Sequence, residues 1–166
     1  CGSRMTFALL NIDGFKYVND TLGHLAGDQL LSLMGERLSA HCYDGIFVAR
    51  WGDDEFSLLF PANTLLEEAA RFCEQLVSVL SNDVVLPEGE FSVSVTCGLA
   101  QVHQTNSPAD LMRRAHLALC HGKENGRGSV HCWNEHIESA SGTHQRAINM
   151  LKSAFADGRA FAVYQP

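Results

Sequence analysis

Blocks of apolar residues separated by polar turns predict a chain of alternating strands and helices. The run from Met5 to Ile12 is mostly apolar and is long enough for one buried strand. Phe15 to Leu22 then predicts a short helix that ends at Gly23, because glycine favours the C-terminal stop of a helix. From Ala26 to about Ala40, apolar side chains recur at helical spacing and predict a second helix.

Two strands joined by a tight turn follow these helices. Ile46 to Arg50 and Phe56 to Phe60 have the composition of strands. The residues between them include Gly52, Asp53 and Asp54, which are typical of turns. The segment therefore predicts a β-hairpin with an acidic tip.

The clearest helical pattern lies in the middle of the chain. One apolar stripe runs along it, formed by Leu65, Leu66, Ala69, Phe72, Cys73, Leu76, Val79 and Leu80. Thr64 and Glu67 have the spacing of a capping box, which places the start of the helix there. Asp83 to Gly89 is predicted to turn, and Phe91 to Val102, rich in Val and Thr, is predicted to form a strand.

A further helix and a short strand follow. Ser107, Pro108 and Asp110 form a strong helix start, with an N-cap, a proline at the first helical position and an acid at the third. The helix runs to about Glu124, and Ser129 to Trp133 predicts a short strand. The order β-α-α-β-β-α-β-α-β predicts an α+β fold in which helices flank a central, mostly antiparallel sheet.

The end of the chain has a different character. Glu135 to Thr143 is polar and small, as linkers often are. His144 to Ala156 regains helical spacing, and Phe161 to Tyr164 begins a strand. Because this tail has no room to bury itself in the preceding pattern, we predict one domain over residues 1–134. Residues 135–166 are then a linker helix and the start of a second domain.

The composition fits a globular domain and excludes some partners. The 166 residues carry a net charge of −7, and 46% of them are apolar. Such a chain lacks the basic surface that nucleic acids need, whereas a nucleotide requires only a few local donors. Six cysteines lie scattered without a CxxC pair, which favours a reduced cytoplasmic compartment. No apolar run reaches the roughly 18 residues of a membrane span, so no membrane segment is predicted in this stretch.

Three places along the chain carry candidate chemistry. At Asn11 to Lys16 a strand end runs directly into a helix start. There the Asp13 carboxylate could hold Mg²⁺, and the free N–H groups of the helix could hold phosphate. Adjacent acids at the hairpin tip point to opposite faces, so one of them could reach a metal. Lys123 and Arg127, a helical turn apart, could clamp terminal phosphates.

Each of these places also has an ordinary explanation. An aspartate before a helix usually caps it or is solvated, and an acidic hairpin tip usually just suits the turn. Basic residues at the C-terminal end of a helix usually stabilise the helix through its macrodipole. The order and separation of the three places along one chain are what favour a shared site.

The run from Asp13 to Asp28 carries a specific family resemblance. It reads DGFKYVNDTLGHLAGD and resembles the DxFKxxNDxxGHxxGD run of the GGDEF family almost position for position. Ala49 to Phe56 resembles the ARxGGDEF hairpin of that family, and Lys123 to Arg127 resembles its KxxGRN segment. The resemblance spans roughly residues 5 to 133. The tail from Leu151 to Pro166 resembles the opening of an EAL phosphodiesterase domain, which implies a GGDEF–EAL tandem protein.

The GGDEF resemblance implies a palm-like nucleotidyl cyclase fold in which two domains meet face to face and join two GTP molecules into cyclic di-GMP. It also implies Mg²⁺ or Mn²⁺ as cofactor, a homodimer, and an EAL domain of the same chain as partner. The residues that it assigns to GTP are Asn19 and Asp28 at the guanine and Phe15, Lys16, Gly52, Asp53, Lys123 and Arg127 at the phosphates. The residues that it assigns to the metal and the reaction are Asn11, the Ile12 backbone, Asp54 and Glu55.

Two residues depart from the pattern of the family. Asn11 stands where the family has its metal-binding aspartate, and an amide oxygen is a neutral, weaker ligand for a hard cation. Asp53 stands where the family has a glycine over which the phosphates pass, and it adds bulk and a negative charge there. The RxxD motif expected before the hairpin is replaced by the stretch from Tyr43 to Ile46.

These departures leave three hypotheses, and they favour the first. The first is a catalytically impaired GGDEF domain that binds GTP or regulates a downstream EAL phosphodiesterase domain. The second is an active diguanylate cyclase that tolerates both changes. The third is a structural or dimerising module that binds no nucleotide. The domain is expected in the cytoplasm, in a parent protein that an upstream segment could anchor to a membrane.

Overall fold

The computed structural model describes residues 3–87, 89–103 and 107–140. The chain divides into two compact units, Cys1–Trp133 and Asn134–Pro166. The described strands and helices of the first unit are β1 (Arg4–Ile12), α1 (Phe15–Leu22), α2 (His24–His41), β2 (Phe47–Arg50), β3 (Glu55–Leu59), α3 (Leu66–Leu80), β4 (Val84–Leu86), β5 (Gly89–Phe91), β6 (Val95–His103), α4 (Pro108–Asn125) and β7 (Val130–Cys132).

The first unit is built on a five-stranded sheet with the strand order β2-β3-β1-β6-β7. The pairs β2–β3, β3–β1 and β1–β6 are antiparallel, and β6–β7 is parallel. The central strand β1 pairs along its whole length with β6, from Arg4 opposite His103 to Ile12 opposite Val95. The predicted α+β fold with a mostly antiparallel sheet is therefore confirmed.

Helices cover both faces of this sheet, which explains why β1 is a continuous apolar run. Successive side chains of a strand point to opposite faces. Ala8, Leu10 and Ile12 join the larger core cluster, which also contains buried residues of α1, α2 and α3. Phe7 and Leu9 join a second cluster with buried residues of α4. By the same alternation, Asn11 falls on the α4 face.

Helix α4 packs directly onto β6 because Gly98 has no side chain. A Cβ atom added at Gly98 would overlap the Ala115 carbonyl oxygen and the backbone nitrogen of Leu119. The start of α4 is the one predicted from the sequence, since the Ser107 hydroxyl accepts a hydrogen bond from the Asp110 N–H at 3.2 Å. This packing fixes where the C-terminal end of α4 lies relative to the sheet.

Most predicted elements agree with the structure within about two residues, but the stretch after α3 does not. Asp83 to Gly89 was predicted only to turn, and it contains β4 and the start of β5, which form a separate two-stranded sheet. The strand predicted from Phe91 to Val102 begins only at Val95, because Phe91 belongs to β5. Both strands have only three residues and lie in a stretch rich in turn-forming residues, so neither gives a clear alternating pattern.

The start of α3 also differs from the prediction. The helix begins at Leu66, and the Thr64 hydroxyl donates to the Pro61 carbonyl oxygen at 2.8 Å instead of capping the helix. The Glu68 carboxylate accepts a hydrogen bond from the Leu65 N–H at 3.3 Å. The capping interaction is therefore shifted by one residue along the chain. The Leu65 side chain has no oxygen atom, so it cannot accept the second hydrogen bond of a capping box.

Only residues 134–140 of the second unit are described. The Asn134 side-chain oxygen accepts a hydrogen bond from the Ile137 N–H at 3.1 Å, and residues 135–140 are helical. The helix over residues 135–140 lies within the segment predicted as a linker helix, and the role of that segment as a linker stays a prediction. The predicted helix from His144 to Ala156 and strand from Phe161 to Tyr164 lie outside the described residues. No helix among the described residues is long and apolar enough to cross a membrane.

Candidate functional site

The turn between β1 and α1 presents the start of a helix at one end of the sheet. Gly14 adopts a left-handed conformation with φ of 74°, and its carbonyl oxygen accepts the first helical hydrogen bonds, from Tyr17 and Val18. The N–H groups of Phe15 and Lys16 lie in the first turn, where a helix offers no internal acceptor. The Phe15 side chain is buried and Lys16 is exposed, so the backbone of this turn can face an anion.

The Asp13 carboxylate is bound by several hydrogen-bond donors of the protein. It accepts hydrogen bonds from the Ser94 hydroxyl at 2.8 Å and from the Thr96 hydroxyl at 2.8 and 2.9 Å. It also accepts one from the Gly128 N–H at 3.3 Å. Protein donors thus occupy the carboxylate from two other segments of the chain, and the structure ties it into the fold where the sequence suggested an Mg²⁺ ligand.

The two residues assigned to the guanine lie on facing helices. Asn19 is on α1 and Asp28 is near the start of α2, on the far side of the turn at Gly23. A Cβ atom added at Gly27 would overlap the Asn19 side-chain oxygen and lie 3.2 Å from the Phe15 ring. The missing side chain at Gly27 therefore lets the Asn19 amide lie against α2, and the neighbouring residue on that helix, Asp28, is exposed.

The tip of the β2–β3 hairpin is clamped by one arginine and tied to β1. The Arg50 guanidinium donates to the carbonyl oxygens of Gly52 and Asp53, both at 3.0 Å. The Ile12 N–H donates to the Asp54 carbonyl oxygen at 3.1 Å. These contacts bring the acidic tip to the end of β1, beside the β1–α1 turn.

The backbone of the tip accommodates Asp53 without strain. Among the described residues other than glycine, only Asn63 has a positive φ, so Asp53 occupies ordinary backbone space. Its side chain is exposed. Any effect of Asp53 on a bound phosphate therefore comes from the bulk and charge of its side chain, and the shape of the turn does not require a glycine.

The residues assigned to a metal supply oxygen donors at the same corner. Asn11 is 3% exposed at the end of β1, and it lies opposite Glu55 in the β1–β3 pairing. Asp54 precedes Glu55 and is partly buried. An amide oxygen, a carboxylate and the Ile12 backbone are hard ligands of the kind that Mg²⁺ prefers, although with one carboxylate fewer than the family pattern.

Protein side chains alone do not close a metal site here. In the part of the chain that the structure describes, no group of three or more His, Cys, Asp or Glu side chains could hold a metal ion. The donor set at Asn11 and Asp54 therefore does not fit a closed structural metal centre.

The end of α4 brings the two basic residues to this corner. Lys123 lies in the last turn of α4, and Arg127 follows the cap residue Gly126. The pKa of the Cys120 thiol is raised. Burial is the largest cause; the positive charge of Lys123 acts in the opposite direction, and the negative charges of Glu124 and Glu55 raise the pKa further. The thiol thus lies within electrostatic reach of both the end of α4 and the hairpin residue Glu55.

Sequence reasoning missed the residues that hold these segments together. Ser94 and Thr96 lie 81 and 83 residues from Asp13 along the chain. The Arg50 clamp also carried no functional signal beyond its place before the turn. A local pattern gives no sign of such contacts, because they depend on which strands become neighbours in the sheet.

Comparison with known proteins identifies the family and the fold. Residues 1–129 match the family model described as diguanylate cyclase, GGDEF domain. The chain belongs to the GGDEF domain family. The GGDEF resemblance inferred from the run of Asp13 to Asp28 is therefore confirmed.

Curated relatives and a solved structure agree with this assignment. The chain is 39% identical over 137 residues to the uncharacterized protein YhcK of Bacillus subtilis, covering 80% of the chain and 38% of YhcK. It is 32% identical over 165 residues to the bifunctional diguanylate cyclase/cyclic di-GMP phosphodiesterase MucR of Pseudomonas aeruginosa, covering 98% of the chain and 24% of MucR. The chain thus spans less than two fifths of both relatives.

The fold is similar to that of the GGDEF domain of DgcB from Caulobacter crescentus, solved in complex with c-di-GMP. The TM-score is 0.74 at 28% identity, and 78% of each chain is covered. Diguanylate cyclases of this family bind GTP and generally use Mg²⁺. The corner formed by the β1–α1 turn, the hairpin tip and the end of α4 is thus the candidate nucleotide site of this GGDEF domain.

Proposed function

We propose that this GGDEF domain binds GTP, has reduced diguanylate cyclase activity, and regulates an EAL phosphodiesterase domain that follows it in the same protein. The observation that carries the proposal is an intact set of guanine and phosphate groups beside an altered metal corner. Asn19, Asp28, Lys123 and Arg127 match the family pattern, whereas Asn11 and Asp53 do not.

The guanine groups support the choice of GTP. A carboxylate such as Asp28 can accept hydrogen bonds from the two N–H donors on the Watson–Crick edge of guanine. The Asn19 amide can both donate and accept, and its contact with Gly27 limits where it points. Adenine offers a different order of donors and acceptors, so the pair favours guanine.

The phosphate groups come from two segments. The first turn of α1 contributes backbone N–H groups, and the end of α4 contributes Lys123 and Arg127. A bound Mg²⁺ ion would neutralise part of the triphosphate charge. Asn11 and Asp54 would hold that ion, and Glu55, opposite Asn11, would assist the reaction.

The altered residues act against turnover. Asn11 lacks the charge that helps to bind a divalent cation. Asp53 places a negative side chain near the path of the phosphates, and two unit charges about 4 Å apart interact by about 1 kcal/mol in water and about 4 kcal/mol near a protein surface. Both residues act on the same metal–triphosphate unit, so their effects need not add.

The tail supports a downstream phosphodiesterase. The family match ends at residue 129, whereas the alignment with bifunctional MucR covers 98% of the chain and so extends into the tail. Residues 1–134 are then the GGDEF domain, and residues 135–166 lead into an EAL domain. Joining two GTP molecules requires two copies with facing sites, so a homodimer belongs to the same proposal.

Product analysis and calorimetry test this function. We expect the domain to bind GTP in the presence of Mg²⁺ or Mn²⁺, to yield little cyclic di-GMP, and to lose GTP binding in Asp28→Ala. The double variant Asn11→Asp/Asp53→Gly should form more cyclic di-GMP than the unaltered domain.

Other outcomes would support the other hypotheses. Robust cyclic di-GMP formation by the unaltered domain, with no gain in the double variant, would support an active cyclase that tolerates both residues. No GTP binding by the unaltered domain, or equal binding by Asp28→Ala, would rule out the guanine pocket and leave a structural module.

A further inference from the structure

The contacts of Asp13 connect two segments that the proposed function assigns to the phosphates. Asp13 precedes the first turn of α1 by two residues, and its carboxylate accepts hydrogen bonds from the Thr96 hydroxyl and the Gly128 N–H. Gly128 directly follows Arg127. The Asp13 carboxylate thus links the β1–α1 turn, to which it belongs, to the loop that carries Arg127.

Thr96 completes this connection from the sheet. It is fully buried on β6, and its hydroxyl accepts a hydrogen bond from the Gly128 N–H at 3.0 Å while donating to Asp13. Its methyl group also faces α4, since a Cβ atom added at Gly122 would lie 2.9 Å from it. Gly122 directly precedes Lys123, so the same threonine contacts both ends of the basic segment.

The conformation of Gly128 makes its N–H available for this contact. Gly128 has a φ of 71°, in the left-handed region that favours glycine. The Gly126 N–H, on the other side of Arg127, donates to the Gly122 carbonyl oxygen at 2.8 Å. Hydrogen bonds therefore hold both residues that flank Arg127. They fix the position of the Arg127 backbone, from which the exposed side chain extends.

We propose that Asp13 and Thr96 are positioning residues that hold the Arg127 loop against the start of α1. This inference rests on the proposed function, because it assigns both segments to the phosphates of GTP. The carboxylate supplies charge-assisted hydrogen bonds, which are stronger than those between neutral groups. The two segments then meet the triphosphate as one preorganised unit, and Asp13 acts through Arg127 without touching the nucleotide.

Amide hydrogen exchange tests the connection without any nucleotide. In Asp13→Asn and in Thr96→Val, exchange over residues 126–129 should become at least about tenfold faster, because the loop loses bonds that restrict its opening. Thr96→Ser keeps the hydroxyl and should restore slow exchange. Asp44→Asn changes an exposed carboxylate at the opposite end of β2 from the hairpin tip and should have no effect. Unchanged exchange in both Asp13→Asn and Thr96→Val would overturn the inference.

A double-mutant cycle tests the role in binding. Arg127→Ala and Thr96→Val should each weaken GTP binding about tenfold, and the double variant should bind no more weakly than Arg127→Ala alone. A purely structural role for Thr96 predicts additive losses instead, and additivity would overturn the inference. Asp13→Asn with Arg127→Ala repeats the cycle where Thr96→Val fails to fold.

The outcomes also separate this inference from the proposed function. If the unaltered domain binds no GTP, the proposed function fails and the role in binding fails with it. If the unaltered domain binds GTP and the Asp13→Asn and Thr96→Val variants bind it equally well, only the positioning role fails. A further outcome would assign Asp13 to the metal, contrary to the inference. In that outcome, Asp13→Asn leaves the affinity for GTP at saturating Mg²⁺ unchanged but weakens the affinity for Mn²⁺.

Discussion

Two substitutions at the candidate site move one negative charge from the end of β1 to the tip of the hairpin. Asn11 removes a carboxylate where a cation would bind, and Asp53 adds one where phosphates would pass. The net charge of the corner is the same as in the family pattern, but one negative charge lies at the tip of the hairpin instead of at the end of β1. Because Coulomb energies depend on distance, the placement of a charge matters more here than the total.

The charge of Asp53, more than its size, should limit binding of the triphosphate. We expect Asp53→Asn to strengthen Mg²⁺–GTP binding about fivefold or more at low salt, and Asp53→Gly to add little to that gain, because residue 53 has no positive φ that favours glycine. The gain should shrink as salt is raised, since salt screens exposed charges. Calorimetry at two salt concentrations measures it. A gain in Asp53→Gly without one in Asp53→Asn would identify bulk as the cause.

Gly27 should control guanine recognition although its backbone need not touch the nucleotide. In Gly27→Ala the new methyl group would overlap the Asn19 side-chain oxygen, so the amide must move. We expect GTP to bind about tenfold more weakly and the preference for GTP over ATP to fall, as measured by competition.

Gly35→Ala is the matched control for this substitution. Gly35 lies on the same helix, and a Cβ atom added there has no neighbour within 4 Å. Alanine should stabilise the helix there by about 0.5–1 kcal/mol and leave GTP binding unchanged. A Gly27→Ala variant with unaltered selectivity would show that the Asn19 position is not critical.

At the scale of elements, short segments differ from long ones in what their sequence reveals. Strand β1 and helices α2, α3 and α4 have patterns long enough to identify them, and their positions were predicted within about two residues. The three-residue strands β4 and β5 were missed. Arg37 holds the chain before them, because its guanidinium donates to the carbonyl oxygens of Leu80, Asn82 and Asp83.

The first turn of α4 gives a prediction about pH. The pKa of Asp110 is lowered below its ordinary 3.8, by hydrogen bonding to Arg113 first and by the nearby Arg114 charge as well. A lowered carboxylate pKa contributes stability above the pKa of the unfolded chain, and this contribution is lost as the pH falls through the folded value. Asp110→Asn should therefore lower the thermal midpoint at neutral pH.

The difference from the unaltered domain should begin to shrink as the pH falls below the ordinary pKa of 3.8, and it should disappear once the pH is below the lowered pKa of the folded domain. Thermal unfolding followed by circular dichroism from pH 7 to pH 3 measures it. A constant difference across that range would show that Asp110 does not act through its charge, because Asp110→Asn keeps the hydrogen bond from the backbone N–H to Ser107.

At the scale of the molecule, the chain consists of two units, of which the first carries the candidate site. Residues 1–129 match the family, and the longer alignment with MucR covers nearly the whole chain. Regulation of a following EAL domain requires that GTP bind differently to two states of the longer protein. Coupling of this kind is reciprocal between the two ligands.

Under the proposed function, a protein in which an EAL domain follows this domain responds to GTP. We expect GTP to change the rate of cyclic di-GMP hydrolysis about fivefold or more, and cyclic di-GMP bound at the EAL domain to change GTP affinity in a reciprocal manner. Asp28→Ala should abolish the response, and Asp44→Asn should preserve it. Rates measured with and without GTP give the answer. A hydrolysis rate independent of GTP would exclude regulation through this site.

The sequence by itself determined the long helices and strands, the hairpin and the family, because these depend on local periodicity and on motifs of adjacent residues. It also showed Asn11 and Asp53 as departures. Only the tertiary structure decided the use of Asp13, whose partners lie 81 to 115 residues away, and the contact between Gly27 and the Asn19 amide. Spacing along the chain does not reveal such contacts, because they form only when strand pairing and helix packing bring distant segments together.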